Sequence, residues 1–290
     1  MSSSTVDVHE LIAWGLDEYP CRASAIGTRQ EEFVKHIEQA QHLLAMREPH
    51  MICSALSTNQ TENIGHRFAT AMQRSDLKKE YEDLDWTLGV VNLRHLLAFQ
   101  RRLVFSRKPH HSQTPKQDDW AGLISFAIGA PRATDYSLSR QDSITGALNI
   151  SLHSSNPDFQ VRLNRKAGVD DTSLLSLYGG SPFFEVAELR GRWFLRDGYH
   201  RAYRLLQKGV YCVPTVVIRA RTLKELGATE TWFFDENQLF SDHPPRVMDF
   251  LDKSMILRYE RTALRKTIRI RIEESLQPFD ETEEQQGENV

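Results

Sequence analysis

The sequence predicts an α+β fold, in which a small mixed β-sheet with packed helices follows an N-terminal helical region. Within residues 10–84, apolar residues recur at the spacing of amphipathic helices. From residue 144 onward, short apolar runs separated by turn residues predict strands. Residues 192–220 have the pattern of a strand, a tight turn, a helix and a second strand, which places helix and sheet in one segment.

Composition and charge exclude several classes of protein. The 290 residues, 40% of them hydrophobic, suffice for one large domain or two modest ones. A formal net charge of -3 does not favour a general nucleic-acid or membrane-surface binder. The sequence has no apolar run near the roughly 20 residues of a membrane span and no signal-peptide pattern, so we expect a cytoplasmic protein without a membrane partner. Cys21, Cys53 and Cys212 are too few and too widely spaced for a disulfide framework or a four-ligand zinc site.

Two amphipathic helices are predicted in the first segment, residues 1–84. Thr28 and Glu31 have the spacing of a capping box, and Ser57 is a suitable start for the second helix. The residues at helical spacing are Phe33, Ile37, Ala40 and Leu44 in the first helix and Ile64, Phe68 and Met72 in the second. The apolar run 86–104 then predicts a short strand over 88–91, followed by a helix that carries Leu93, Leu96, Leu97 and Phe99.

Residues 85–245 are predicted to form the α+β core. Strands are expected over 147–152, 182–189, 192–197 and 213–220. The dipeptide Arg190-Gly191 predicts a hairpin between the second and the third of these strands. A helix is expected after Gly198, and Gly209 is its natural end because glycine commonly follows the last helical residue.

Residues 246–272 are predicted to add a helix and a strand to this core. The helix is expected within 245–266, from the spacing of Val247, Phe250, Leu251, Met255 and Leu257. Alternation from residue 267 onward then predicts a strand whose Arg269 and Arg271 face water. Residues 273–290 contain Glu and Asp but no Lys or Arg, so we expect a disordered acidic tail.

The junction at Asp197-Gly198 is the position that points most directly to chemistry. A helix that begins after a glycine turn presents backbone N–H groups and the positive end of its dipole, which together favour an anion. Gly198 lets the backbone approach a phosphate, and His200 and Arg201 lie in the first turn. Asp197 could bind a metal-nucleotide complex or act as a base. An ordinary helix cap explains the same residues equally well, so both interpretations stay open.

Three segments resemble the ParB/sulfiredoxin-like superfamily, in particular the ParB N-terminal domain. Residues 196–217, RDGYHRAYRLLQKGVYCVPTVV, are similar to its Gly-x-(His/Arg)-Arg turn, helix and proline-containing strand. Residues 156–162, NPDFQVR, look like its N-P-x-Q-P-R box, and Glu236-Asn237 followed by Asp242 and Pro245 resembles its third box. The resemblance extends over residues 145–246, and the turn is its most specific part.

The resemblance implies a core that binds a nucleoside triphosphate, ATP or CTP, together with Mg²⁺. It implies phosphate or nucleotide contacts from Gly198, His200, Arg201, Gln160, Arg162, Glu236 and Asn237. The catalytic candidates are three carboxylates, those of Asp197, Glu185 and Glu188. No set of residues is expected to form a metal site of its own. Tyr199 occupies the position of the sulfiredoxin cysteine, so we do not expect reduction of a sulfinic acid.

Three functional hypotheses follow from these residues. The first is NTP hydrolysis or phosphoryl transfer to a small molecule, which depends on positioning and on neutralisation of phosphate charge. The second is a ParB-like nucleic-acid-binding protein or nuclease in which the same turn binds backbone phosphate. The third is a non-catalytic interaction module, because Val161, Tyr199 and Phe240 depart from the family pattern.

Overall fold

The computed structural model describes residues 5–15, 30–106, 113–129, 136–142, 148–156, 159–163, 175–179, 181–230 and 232–273. The α-helices of this part are α1 (Gln30–Ala45), α2 (Thr58–Asn63), α3 (Gly65–Ala71), α4 (Ser75–Glu80), α5 (Trp120–Ile128), α6 (Tyr199–Gln207), α7 (Leu223–Leu226) and α8 (Glu236–Leu239). In the same described residues, 3-10 turns cover Leu93–His95 and Val247–Leu251. None of the helices in the described ranges is long and apolar enough to cross a membrane.

Strands make up the rest of the regular structure in the part of the chain that the structure describes. They are β1 (Thr5–Leu11), β2 (Trp86–Asn92), β3 (Leu97–Ala98), β4 (Arg102–Ser106), β5 (Ser137–Asp142), β6 (Leu148–Ser154), β7 (Gln160–Leu163), β8 (Leu175–Tyr178), β9 (Glu185–Leu189), β10 (Arg192–Asp197), β11 (Cys212–Arg219), β12 (Ile256–Thr262) and β13 (Lys266–Ile272). The α+β class predicted from the sequence is therefore confirmed.

The contacts divide the chain into two compact units. Unit one comprises residues 1–132 and 181–263, and unit two comprises residues 133–180 and 264–290. The predicted boundaries at residues 84, 245 and 272 stay a prediction. Residues 274–290, which include nearly all of the predicted acidic tail, lie outside the described residues.

The central sheet of unit one has five strands in the order β2-β11-β9-β10-β3. Strand β11 runs antiparallel to β2 and parallel to β9, whereas β9 and β10 form an antiparallel hairpin. Residues 213–218 of β11 are all buried, as expected for a central strand covered on both faces. On helix α6, Ala202, Leu205 and Leu206 are buried in the same core. The helix and the sheet therefore hold the end of β10 and the start of α6 in place.

A second sheet of unit one joins distant parts of the sequence. Its strand order is β12-β1-β4, and both pairings are antiparallel. Unit two contains a three-stranded antiparallel sheet, β13-β6-β5, and the hairpin β7-β8. The strand predicted after residue 266 is confirmed, and Arg269 and Arg271 are exposed on it.

Three expectations about local structure were wrong. Residues 245–266 do not form a helix, because the helically spaced apolar residues end in a short 3-10 turn and residues 256–262 pair with β1. Residues 93–99 form a 3-10 turn and the short strand β3, which pairs with β10. The first segment is not helical throughout, because it begins with strand β1. In the first two cases, pairing with a strand distant in sequence outweighs a local helical spacing.

Candidate functional site

The candidate site lies where strand β10 meets helix α6. Gly198 separates them in the left-handed conformation, with φ 98° and ψ 19°. A Cβ atom built at this position would lie 2.8 Å from Cδ2 of Phe184. Both the backbone conformation and the close approach therefore require glycine. The predicted glycine turn and the predicted helix start are confirmed.

Phe184 is itself held in place from two sides. Its backbone N–H donates to the carbonyl oxygen of Ala127 at 2.7 Å. Its own carbonyl oxygen accepts from the hydroxyl of Thr215 at 2.7 Å and from the N–H of Val216 at 2.9 Å. The ring beneath Gly198 therefore belongs to a fixed segment between α5 and β11, and the turn rests on a rigid support.

The N-terminus of α6 has the electrostatic features that favour an anion. The helix has nine residues, its N-cap Gly198 provides no side-chain cap, and its first turn contains no acidic residue. The first N–H groups of an α-helix have no partner within the helix, and they form the positive end of its dipole. The side chain of Asp197 lies immediately before the helix and is about one third exposed, at 35%.

A β-bulge separates the last two cross-strand pairs of the hairpin. Leu195 pairs with Val186, and Asp197 then pairs with Glu185, so Arg196 is the extra residue. A bulge of this kind redirects the side chains next to it. Here the Arg196 guanidinium forms an ion pair with the Glu185 carboxylate.

Glu185 is a buried carboxylate with two strong donors. Its exposure is 1%, and the Tyr81 hydroxyl donates to Oε1 at 2.6 Å while Arg196 donates to Oε2. Burial, and then the neighbouring Glu185 charge, raise the pKa of the Tyr81 hydroxyl. Tyr81 therefore stays protonated and remains a donor. Sequence reasoning did not identify Tyr81, because no local pattern links it to a residue 104 positions away.

Arg201 points towards the backbone of the segment that carries Phe184. Its guanidinium donates to the carbonyl oxygen of Pro182 at 2.8 Å and to that of Phe183 at 2.6 Å. The Asp197 carboxylate lies 3.7 Å from the same guanidinium. Arg201 therefore ties the first turn of α6 to the 182–184 segment.

His200 lies on the exposed side of the first turn of α6. Its Nε2 is 2.9 Å from the carbonyl oxygen of Val104, and its ring meets that of Phe105 edge-on at 5.2 Å. The same Phe105 ring contacts His9 and Tyr203, so the β1 and β4 strands support this side of the helix.

Three predicted residues lie at the opposite end of the β9–β10 hairpin. Glu188 accepts the backbone N–H of Gly191 at 2.6 Å, in the hairpin turn. Glu236 forms an ion pair with Arg190 at 2.6 Å, and Asn237 is exposed beside it on α8. With a rise of about 3.3 Å per residue, the two ends of β10 are about 16 Å apart. The structure therefore brings five of the predicted residues together at one end of β10, namely Asp197, Gly198, His200, Arg201 and Glu185. The other three, Glu188, Glu236 and Asn237, lie at the opposite end.

The remaining two predicted residues belong to unit two. Gln160 and Arg162 lie on strand β7, where they pair with Tyr178 and Ser176 of β8. The side chain of Gln160 is exposed. Their predicted nucleotide contacts stay a prediction.

Within the described ranges, no group of three or more His, Cys, Asp or Glu side chains is arranged to hold a metal ion. One carboxylate together with phosphate oxygens is, however, an ordinary ligand set for Mg²⁺, and Asp197 fits that role.

Comparisons with protein-family models, with curated proteins and with solved structures gave no significant match.

Proposed function

We propose that the chain is a ParB/sulfiredoxin-like nucleotide-binding protein and that the turn at 197–201 binds the phosphates of a nucleoside triphosphate. The observation that carries this proposal is the junction of β10 and α6, where a left-handed Gly198 is the N-cap of the helix. The resemblance of residues 196–217 supports it, because the family's phosphate-binding turn has the same Gly-x-His-Arg order. The thermal-shift panel described below decides whether the nucleotide is ATP or CTP.

In this proposal the backbone of the turn is the main phosphate ligand. The N–H groups at the start of α6 donate to the phosphate oxygens, and the helix dipole stabilises the negative charge. In this proposal, His200 lies at the exposed edge of the turn and adds a side-chain contact to the phosphate. Arg201 acts through position, because its guanidinium already donates to the carbonyl oxygens of Pro182 and Phe183. It holds the turn in the geometry that the phosphate needs.

The carboxylates of the site have different roles. Asp197 is at the turn and partly exposed, so it would hold Mg²⁺ with the phosphate oxygens or act as the base. Mg²⁺, when bound, supplies neutralisation of phosphate charge. Glu185 is enclosed by Tyr81 and Arg196, so it positions the bulge before Asp197. We propose NTP hydrolysis or phosphoryl transfer to a small molecule as the reaction.

The test is a thermal-shift panel of ATP, CTP, GTP and ADP, with and without Mg²⁺. A ligand that binds only the folded state at about a hundred times its Kd adds about 2.7 kcal/mol to stability, which raises the melting temperature by several degrees. We expect one triphosphate to give this shift. Release of inorganic phosphate without any acceptor then separates hydrolysis from phosphoryl transfer.

Variants decide whether that shift comes from the turn. Asp197→Asn should remove the part of the shift that depends on Mg²⁺, and His200→Ala should reduce the whole shift. Lys208→Ala is the matched control, because it removes an exposed charge at the other end of α6. No shift with any nucleotide, or the same shift in all three variants, contradicts the proposal.

A polar sheet face in unit two favours nucleic-acid binding as a second candidate function. The register aligns three cross-strand rows on alternate positions of β5, β6 and β13, namely Ser137, His153 and Thr267, then Ser139, Ser151 and Arg269, then Gln141, Asn149 and Arg271. These nine positions include two arginines and no carboxylate, although Arg271 forms an ion pair with the adjacent Glu273. Hydroxyl, amide and guanidinium groups are common ligands of backbone phosphate.

Salt dependence of DNA and RNA binding tests this second function. A contact between Arg269 and a phosphate predicts that Arg269→Gln lowers the slope of log affinity against log salt by about 0.9 on double-stranded DNA. Arg140→Gln is the control, because Arg140 pairs with Ile150 on the alternate positions of the same sheet. Equal slopes in both variants, or no binding at low salt, would remove this function.

A further inference from the structure

Trp232 is the one tryptophan of the chain that the core does not enclose. Trp14, Trp86, Trp120 and Trp193 are only partly exposed, and all four pack against the main hydrophobic core. Trp232, by contrast, is 48% exposed. An indole ring combines a large apolar surface with a polar N–H group, and proteins commonly place it where it meets a ligand or a partner. The surroundings of this ring therefore decide what it could bind.

The backbone next to Trp232 is held in a fixed position. Phe233 pairs with Gln100 in an isolated antiparallel bridge. The Phe234 N–H donates to the carbonyl oxygen of Phe99 at 2.9 Å. The Phe233 ring meets the Phe99 ring edge-on at 5.0 Å and the Trp232 ring at 6.0 Å. The exposed indole therefore has a rigid support, which lowers the entropic cost of binding a ligand.

The same support borders the Gly198 turn. The Tyr199 hydroxyl accepts hydrogen bonds from the N–H groups of Phe99 at 3.0 Å and Gln100 at 3.4 Å. Strands β3 and β10 run parallel, so Gln100, which follows β3, and the turn, which follows β10, lie at the same edge of the central sheet. Ligands of sheets with parallel strands commonly bind at this edge, outside the carboxyl ends of the strands. The segment that supports Trp232 therefore lies on the edge where the phosphates are proposed to bind.

The loop that carries Trp232 follows this edge past the turn. At its start, a Cβ built on Gly227 lies 3.6 Å from Nε of Arg196, two residues before Gly198. At its end, ring contacts of 6.0, 5.0 and 6.0 Å lead from Trp232 through two phenylalanine rings to Tyr199, the first residue of α6. The Trp232 and Tyr199 rings are therefore at most about 17 Å apart. That range is comparable with the length of a nucleoside triphosphate, whose base and terminal phosphate are at opposite ends.

Trp232 is an isolated apolar group on this edge. No other large apolar side chain is exposed in residues 97–101, 194–200, 227–230 or 232–234, all of which the structure describes. Surfaces that bind a protein usually present a contiguous apolar patch, whereas a single planar ring suits a single planar ligand. The surroundings of Trp232 therefore favour a nucleobase over a polypeptide.

We propose that Trp232 stacks on the base of the nucleotide, an inference that rests on the proposed binding of its phosphates at the Gly198 turn. Every base has a flat π face, so stacking strengthens binding without selecting one base. The backbone of the turn binds the charged end of the ligand, and the indole binds its planar end. Removal of the indole should therefore weaken the binding of nucleotides and leave unchanged the binding of a phosphate chain that lacks a base.

The experiment measures, on the full chain with Mg²⁺, the Kd of ATP, CTP, GTP and inorganic tripolyphosphate by calorimetry. Trp232→Ala should weaken the tightest-binding nucleotide at least roughly tenfold, as expected for the loss of one base–aromatic contact, and leave the Kd of tripolyphosphate unchanged. Trp232→Phe should keep most of the affinity, because a phenyl ring still stacks on a base. The same variant should lose the quenching of tryptophan fluorescence that the nucleotide causes in the wild type.

Two further variants separate the stacking role from the phosphate site. Tyr136→Ala is the matched control, because it removes a ring of unit two that is 46% exposed and should leave every Kd unchanged. His200→Ala should weaken nucleotides and tripolyphosphate alike, because its contact is with the phosphates.

The outcomes distinguish this inference from the proposed function. An unchanged nucleotide Kd in Trp232→Ala, or an equal loss for tripolyphosphate, would overturn the stacking role and leave the phosphate site in place. If Trp232→Ala fails to fold, quenching that persists in Trp232→Phe overturns the role instead. If the wild type binds neither nucleotides nor tripolyphosphate, the proposed function fails and this inference fails with it.

Discussion

The two ends of the β9–β10 hairpin each carry an ion pair, and the two pairs differ in their surroundings. At the Gly198 end, Glu185 and Arg196 are 1% and 24% exposed. At the turn end, Arg190 and Glu236 are 57% and 47% exposed. Burial removes the water that screens a charge, so losing one partner has a much larger effect at the first end. The hairpin therefore combines a rigid end with an adaptable one.

The arginine side chains contrast less between the two ends than the ion pairs do. At the Gly198 end, the arginine guanidinium groups bind protein atoms, because Arg201 donates to carbonyl oxygens and Arg196 to Glu185. The donors for a ligand there come from the helix backbone. At the turn end, the Arg192 guanidinium likewise donates to carbonyl oxygens, those of Leu239 and Ser241. The helix backbone is therefore what distinguishes the Gly198 end, because it offers donors to a small anion.

The largest effect is expected for Glu185→Gln. The variant leaves the Arg196 charge without its buried partner, and we expect a loss of roughly 3 kcal/mol in the free energy of unfolding, as for other broken buried pairs. Urea denaturation measures this loss. Tyr81→Phe is the matched control, because it keeps the Glu185 charge and removes a hydrogen bond to the same carboxylate, together with a weaker one to Ser181 at 3.3 Å, and it should cost about 1 to 2 kcal/mol. If the two variants lose the same free energy of unfolding, the charge of Glu185 does not contribute to stability at this end beyond its hydrogen bond to Tyr81.

A smaller effect is expected for Gly198→Ala. The variant places a side chain in the left-handed conformation, which costs about 1 kcal/mol, and it forces a contact with Phe184 that adds roughly another 1 kcal/mol. Gly209→Ala separates these contributions, because Gly209 has φ 73° but no atom within 4 Å of its built Cβ. Denaturation of both variants should therefore show the larger loss of stability for Gly198→Ala. Equal losses would mean that the Phe184 ring moves away from the new Cβ at little cost.

The pH dependence of stability tests the support of the Gly198 end by β1. Burial, and then the Arg258 charge, lower the pKa of His9 to about 4. The unfolded chain, with a pKa near 6.5, then binds more protons than the folded one, so stability falls as the pH falls from about 6.5 to about 4. His9→Gln should make this fall smaller in urea denaturation series. The exposed histidine variant His42→Gln should keep the slope of the wild type.

The sequence predicted those parts of the site that depend on neighbouring residues. Asp197, Gly198 and the start of α6 follow from one local pattern, as does the hairpin at Arg190-Gly191. The contacts that set the roles of the side chains are long-range. Tyr81 meets Glu185 across 104 positions, and Arg201 meets carbonyl oxygens 18 and 19 positions earlier. No periodicity encodes such contacts.

Strand pairing explains the larger errors in the same way. Strand β12 was predicted as helix because the apolar residues before it have helical spacing. Its partner β1 lies about 250 positions earlier, as in the pair of Val8 and Tyr259, so local spacing carries no information about it. Helix α6 was predicted correctly because its buried side and its glycine boundary are both local.

The smallest effect is expected for Glu236→Gln, at the adaptable end of the hairpin. The Arg190–Glu236 pair is about half exposed on both sides, and exposed pairs contribute little because water and salt screen them. We expect a change within about 0.5 kcal/mol in the free energy of unfolding, and a still smaller one in high salt. A loss comparable to that of Glu185→Gln would show that both ends are equally rigid. In that case the contrast between the two ends would fail.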